Sequence, residues 1–369
     1  MKNYYERISQ MKNLLRIVVW TLVALIIQQG IFLYLENVYL ATDYEIKAEK
    51  VEEKEGEPEQ EKEEIQIKNK IDKLSVSHDG RFVAYMEDGE LKVLDSKENK
   101  ENKFMPENKG QIVFYKWLTD GNSMIVIQKI QEKGNIYYEP ISYNAKKSTV
   151  TSIVDFNYNE IKIPVKDDED MVENVEFSTA TNVFYIKIKK SNGRSDLYSL
   201  NVMNQMTLVR ENKYIGDIVV PTTNANCVME MGDSVTILNR PDNIEIPNVA
   251  KSRILGTDIN DYVYFGEEVD GKITKIYYTI LNEEKLKWNI LTLSKAVKKE
   301  DICIDYSGKI YVNDSEGKTV TELTTRKVIS YEGEFIQIYS EGIIYRKGDK
   351  IFKKQLESKN ESSVNSKNN

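Results

Sequence analysis

The chain has 369 residues, 40% hydrophobic and 30% charged, which suffices for a large buried core and excludes disorder throughout. Its 59 acidic and 51 basic residues leave a formal net charge of −8 with a pI near 5.2, and no basic stripe interrupts the sequence, so nucleic acid is excluded as a partner class. The two cysteines, Cys227 and Cys303, lie in neither CxxC nor Cys/His spacing, which excludes a zinc module or a disulfide framework and leaves only a single pairing between them open.

Residues 1–16 carry Lys2, Arg7, Lys12 and Arg16 against Glu6 alone. The uncharged run IVVWTLVALIIQQGIFLYL, residues 17–35, follows and has the length of a bilayer-crossing helix. Glu36, Asp43 and Glu45 come next, so the charge asymmetry predicts a transmembrane helix with a cytoplasmic N-terminus and an extracytoplasmic remainder. A cleaved signal peptide would need a small-x-small triplet near the end of the run. Tyr39-Leu40-Ala41 puts Tyr where a small residue belongs, which favours an uncleaved anchor at the cell membrane. Gln28 and Gln29 either pair with another helix or are simply tolerated in the outer half of a single-pass span. The acidic Glu/Lys-rich stretch 36–64 has few large apolar residues after Asp43 and reads as an extended spacer. The crowding of Lys, Asn, Ile and Glu, beside 23 Tyr and only 7 Pro, is the usage of an AT-rich coding sequence and points to a low-GC bacterium.

From residue 65 to 357 the apolar residues alternate over short runs bounded by Gly, Asn and Asp, which predicts an all-β domain. LSVSHDGRFVAYMEDGELKVLD, residues 74–95, reads strand, turn, strand, turn, strand. That order returns from Ile112 and Val172, and more weakly from Ile215, Ser252, Glu300 and Phe335. The first turns, marked by Gly80, Gly121, Thr181, Ala225, Asn260, Gly308 and Gly342, recur about every 44 residues, the period of a four-stranded propeller blade. Seven blades are expected. Six to eight stay open, because the wider gap around STVTSIVDFNYNEIKIPV could hold further strands. The last unit has only three strands, so EIQIKNKI, residues 64–71, is predicted to supply the missing outer strand and close the ring. Residues 358–369 read as a disordered tail.

SHDGRFVAYMEDGELKVLD and, more loosely, SDLYSLNV at 195–202 resemble the WD40-like repeat of TolB-like and dipeptidyl-peptidase-IV-like β-propellers, written roughly SPDGKxIAYxxxxGxxxLYxxD. His78 stands where that repeat has Pro. The peptidase members of the family carry an α/β-hydrolase domain, but no GxSxG nucleophile elbow occurs here, and the resemblance therefore implies a propeller without a hydrolase.

A search for chemistry yields little. His78, the single histidine, sits in a turn, where a geometric role is expected rather than that of a base. Glu173, Glu176, Asp217 and Asp301, near the starts of repeat units, are the carboxylates that could meet in a central channel, as in glycosidases of this architecture. KDDEDM at 166–171 and TDINDY at 257–262 are where calcium would be sought, without EF-hand spacing. Tyr137, Tyr138, Tyr277 and Tyr278 would either line a ligand surface or pack within sheets. No catalytic, cofactor-binding or metal site is assigned. The expectation is a non-enzymatic propeller that binds another cell-envelope protein, with a carbohydrate-active enzyme or an envelope ligand sensor as the alternative.

Overall fold

A computed structural model describes residues 19–25, 27–29, 64–67, 71–106, 108, 110–119, 121–203, 205–281 and 286–355. The chain divides into two units, Met1–Gln60 and Glu61–Asn369. In the first, residues 19–25 and 27–29 are helical. No helix among the described residues is long and apolar enough to cross a membrane. The remainder of the predicted span 17–35, the linker up to residue 63 and the predicted tail 358–369 lie outside the described residues.

The second unit is all β. In chain order, β1 (Glu64–Gln66) is followed by blade 1, made of β2 (Asp72–Val76), β3 (Phe82–Glu87), β4 (Glu90–Asp95) and β5 (Lys100–Lys103). Blade 2 comprises β6 (Gln111–Trp117), β7 (Ser123–Glu132), β8 (Asn135–Asn144) and two short edge strands, β9 (Thr149–Ser152) and β10 (Ile163–Pro164), both paired with β8. Blade 3 is β11 (Met171–Ser178), β12 (Val183–Lys189), β13 (Ser195–Leu200) and β14 (Met206–Lys213). Blade 4 has three strands, β15 (Ile218–Val219), β16 (Val228–Met231) and β17 (Ser234–Ile237). Blade 5 is β18 (Ser252–Thr257), β19 (Tyr262–Val269), β20 (Lys272–Ile280) and β21 (Asn289–Val297), and blade 6 is β22 (Ile302–Ile304), β23 (Ile310–Asp314), β24 (Thr319–Glu322) and β25 (Val328–Ser330). Blade 7 contributes β26 (Glu334–Tyr339), β27 (Gly342–Lys347) and β28 (Lys350–Gln355), and its fourth strand is β1, antiparallel to β28 with Ile65 opposite Ile351. The protein is a seven-bladed β-propeller closed by the predicted clasp.

The wide gap between the second and third repeats holds no eighth blade. It holds β9 and β10, which flank a protruding loop on the rim of blade 2. Blade 4 lacks a regular outer strand, and an irregular segment stands in for it. Asn243 bridges Thr236, the Ile244 amide donates to the Val235 carbonyl at 2.7 Å, and Ile246 is buried in the core.

The two Asp-Gly pairs of the opening repeat fold differently. Asp88 and Gly89 both take positive φ, 51° and 79°, in the two-residue hairpin turn whose twist matches the flanking strands. Asp79-Gly80 instead lies in a wider turn in which the Gly80 amide donates to the Ser77 carbonyl at 2.9 Å. Gly80 is required there twice, by its φ of 71° and because a Cβ would lie 2.8 Å from the Tyr339 ring of blade 7.

The core is one hydrophobic cluster at each junction between neighbouring blades. Phe82, Val93, Met124 and Ile141 join blades 1 and 2, and Ile163, Val172 and Ile188 join blades 2 and 3. Leu197 with Met229, Val235 with Phe265, and Ile276 with Ile310 continue through blades 3 to 6. Tyr311 with Ile343 joins blades 6 and 7, and Ile65, Ile67, Val83 and Ile351 seal blade 7 against blade 1. Each sheet therefore buries both faces against neighbours, which is why β3, β7 and β12 carry near-continuous runs of buried residues rather than a polar face.

Candidate functional site

In each blade the first strand approaches the ring axis and turns sharply into the second, so the first turns collect on one face of the ring. Their leading residues are buried hydrogen-bonding groups: Ser77, Ser178, Asp258 and Asp305 are 0%, 1%, 2% and 9% exposed. The Ser77 hydroxyl donates to Asp79 Oδ1 at 2.7 Å and accepts from the Phe82 amide at 3.0 Å. Asp258 Oδ1 accepts from the Asn260 and Tyr262 amides at 2.9 and 3.0 Å, and its Oδ2 accepts from the Tyr264 hydroxyl at 2.8 Å. Asp305 repeats the arrangement with Ser307, the Lys309 amide and Tyr311. The Asp-to-Tyr spacing of six in DINDYVY and DYSGKIY is therefore a structural repeat that the period count passed over. A search for Asp followed by Tyr at that spacing would have found it.

These turns are stitched to one another. Asn122 Nδ2 donates to Asp79 Oδ2 at 2.9 Å, the Thr222 hydroxyl to the Asp258 carbonyl at 3.1 Å, and the Ile259 amide to the Tyr306 carbonyl at 2.9 Å. At the closing seam between blades 7 and 1, the Gln337 amide group both accepts from the Val76 N–H and donates to the Val76 carbonyl, each at 3.0 Å. It replaces a pair of backbone strand bonds across the joint.

Burial raises the Asp258 carboxyl above its ordinary value despite the three bonds it accepts. Asp79 goes the other way. Burial alone would raise it, but bonds from Ser77, the Arg81 amide and Asn122 outweigh that and hold it below the usual carboxylate range.

A cavity of about 450 Å³ opens among the turns of blades 1, 2, 5, 6 and 7. Its wall is mainly apolar and aromatic: Tyr115, Leu118, Ile259, Ile304, Tyr306 and Tyr339 are among its lining residues. Ile259 stands at the rim with 45% of its surface exposed. His78 is in the predicted turn, but it also lines this cavity, edge-on to the Tyr306 ring at 5.6 Å and 79°. The turn assignment holds, and the wide turn at Ser77–Gly80 places residue 78 at the ring's mouth.

The four candidate channel carboxylates do not gather there. Lys116, itself in the cavity wall, binds Glu176 at 2.7 Å. Glu173 pairs with Lys187 and Lys189 at 2.8 and 3.2 Å, Asp217 pairs with Lys299, and Asp301 lies in a 3-10 turn at the start of blade 6. In the acidic loop 166–171, Asp167 accepts from the Glu169 amide and Ser191, and Asp168 from Lys129. In 257–262, Asp261 holds Thr223 and Asn224. No group of three or more metal-ligating side chains is formed among the described residues. Tyr138 and Tyr277 are core residues, Tyr278 stacks on Tyr264 at 5.0 Å, and half-buried Tyr137 lies opposite Pro164. Cys227 in blade 4 and Cys303 in blade 6 are both free thiols.

No protein-family model matches the sequence, and no curated protein matches it. Among solved structures, the WD40 domain of SCAP from fission yeast is similar over 76% of this chain and 83% of its own, at 11% identity and a TM-score of 0.40. A chain of the mitotic checkpoint complex is similar over 84% and 98%, at 10% identity and 0.47. Dipeptidyl peptidase 4 of Porphyromonas gingivalis is similar over 70% of this chain and 45% of its own, at 10% identity and 0.41. The assignment to seven blades rests on the strand pairing itself.

Proposed function

We propose that this chain is a non-enzymatic scaffold that binds another cell-envelope protein, held to the cell membrane by residues 17–35 with its propeller outside the cytoplasm. The observation that carries the binding reading is the cavity. Five blades converge on a hollow of about 450 Å³ whose lining is largely apolar, and the charges at its wall are already occupied, Asp305 by Ser307, Lys309 and Tyr311 and Lys116 by Glu176. Such a hollow suits an uncharged side chain presented by a partner segment, anchored by burial and framed by turn polar groups. A rigid ring with fixed turns also loses little entropy on binding. The anchor reading is supported by the length of the apolar run and the basic-before, acidic-after charge pattern around it.

The test is a photo-crosslinking amino acid at Ile259 in the full chain, expressed in its native membrane. The expected result is a discrete adduct with one envelope protein that disappears when Tyr306→Asp is added. No adduct, together with glycan turnover by the purified chain, would replace the scaffold reading with the enzymatic one.

A further inference from the structure

A second apolar surface lies away from the central face, where the rim loop of blade 2 stands beside the β13–β14 turn of blade 3. Phe156, Tyr158, Val202 and Met203 are 67%, 86%, 63% and 64% exposed there. The loop is built to hold its two aromatics outward. Asp155 Oδ1 accepts from the Asn157 and Asn159 amides at 2.8 and 2.9 Å, its Oδ2 accepts from Asn159 Nδ2 at 3.1 Å, and the Tyr158 amide donates to the Asp155 carbonyl at 3.0 Å. Tyr158 takes a φ of 63° to complete the turn. Asn201 fixes the neighbouring turn in the same way, accepting from the Met203 and Gln205 amides at 2.9 and 3.0 Å. Between the two loops is a hollow of about 550 Å³ lined by Val154, Asp155, Phe156, Val202, Met203 and Gln205.

We infer that this surface is a two-fold interface between two copies of the chain, each inserting its Phe156 and Tyr158 loop into the other's hollow. Three observations favour a second copy. A projection and a hollow lie side by side on one surface, which is the self-complementary arrangement that a two-fold axis requires. The patch is poor in charge in a chain that is 30% charged, and its one carboxylate, Asp155, is turned into its own loop. Two molecules of net charge −8 meet at least electrostatic cost over such a face. The four exposed side chains present roughly 400–500 Å² of surface, at the upper end of the largest apolar patch on a typical monomer. Paired and rimmed by polar loop atoms, that area gives about 1,000 Å² of total burial, the lower bound of a specific interface.

The dimer is therefore weak and concentration-dependent. Sedimentation equilibrium of the full chain in mild detergent should give a dissociation constant on the order of micromolar. Phe156→Asp with Tyr158→Asp should raise it at least tenfold while the melting temperature stays unchanged. Asn157→Cys at the loop tip, with the native side chains otherwise kept, should be linked between copies by a short bifunctional maleimide. A chain that stays monomeric at about 100 µM overturns the inference, as does a dimer whose constant ignores the double substitution or a tip cysteine that links no copies.

Discussion

Closure of the ring by β1 makes a demanding prediction about Ile65 and Ile67. Both are 4% exposed, in the cluster that joins blade 7 to blade 1, and the Ile67 amide also donates to the Asp349 carbonyl at 2.8 Å. Truncating each to Ala keeps the backbone pairing but removes branched side chains from a packed junction. The cost is about 2–4 kcal/mol per site, from lost burial plus the cavity left behind. The double variant loses about 4–8 kcal/mol, comparable to the whole net stability of an ordinary domain. At roughly 2 °C per kcal/mol for a domain of this size, the melting temperature should fall by roughly 8–16 °C. Circular dichroism on heating the full chain should show the β signal shifting as a single transition, because every blade depends on two neighbours and the ring has no free end once closed. Exposed Gln66 on the same strand serves as the control, and Gln66→Ala should move the midpoint by no more than about 1 °C. An unchanged midpoint for the double variant would refute closure by β1. A transition that splits, with most blades melting at the original temperature, would refute the coupling around the ring.

Gln337→Ala leaves the Val76 N–H and carbonyl without their partners at the same seam, and thermal melting should show a loss of about 1–3 kcal/mol. The Asp258 carboxyl is raised above 3.8 by burial, so its ionised form weakens the fold as pH rises past that value; Asp258→Asn, which keeps an acceptor for the Asn260 and Tyr262 amides, should melt higher than wild type at pH 7 and lose that advantage below about pH 4. Asp95 shows the opposite sign: burial would raise it, but the two-pronged Arg81 contact at 2.6 and 3.0 Å outweighs burial and holds it below 3.8, so Asp95→Asn should be destabilising at pH 7 by an amount that shrinks as pH falls through that value. Burial raises the Cys227 thiol strongly, so in a Cys303→Ser chain it should not react with a disulfide reagent at pH 8 until the chain is unfolded; one rapid equivalent in the native protein would contradict its buried placement.

Local rules wrote much of this fold into the chain. Alternation over short runs requires strands, Asp-Gly pairs at fixed offsets require hairpin turns, and a period of about 44 residues with a three-stranded last unit requires a closed ring with a borrowed strand. Those signals depend on neighbours a few residues apart, so they can be read without knowing what packs against what. The missing fourth strand of blade 4 was beyond that reach, because 239–249 is held by the side of β17 and by Ile246 in the next junction rather than by its own pattern. So was the candidate site. His78, Tyr115, Ile259, Tyr306 and Tyr339 come from five blades, and nothing in the local sequence of any one of them records that the other four turn toward the same axis. Of the carboxylates chosen for lying near the starts of repeat units, Glu176 and Asp217 went instead to lysines of other blades, pairings set by the angle between blades, and Glu173 to lysines on the adjacent strand of its own sheet. The sequence by itself determined the blades and the strand that closes them and narrowed their number to between six and eight, since each follows from short-range periodicity and edge satisfaction, while the pairing of β9 and β10 with β8 settled on seven. Only the tertiary structure decided which side chains meet at the mouth of the ring and which aromatics stand out at its rim, because those positions are fixed by how seven separate sheets are rotated about a common axis.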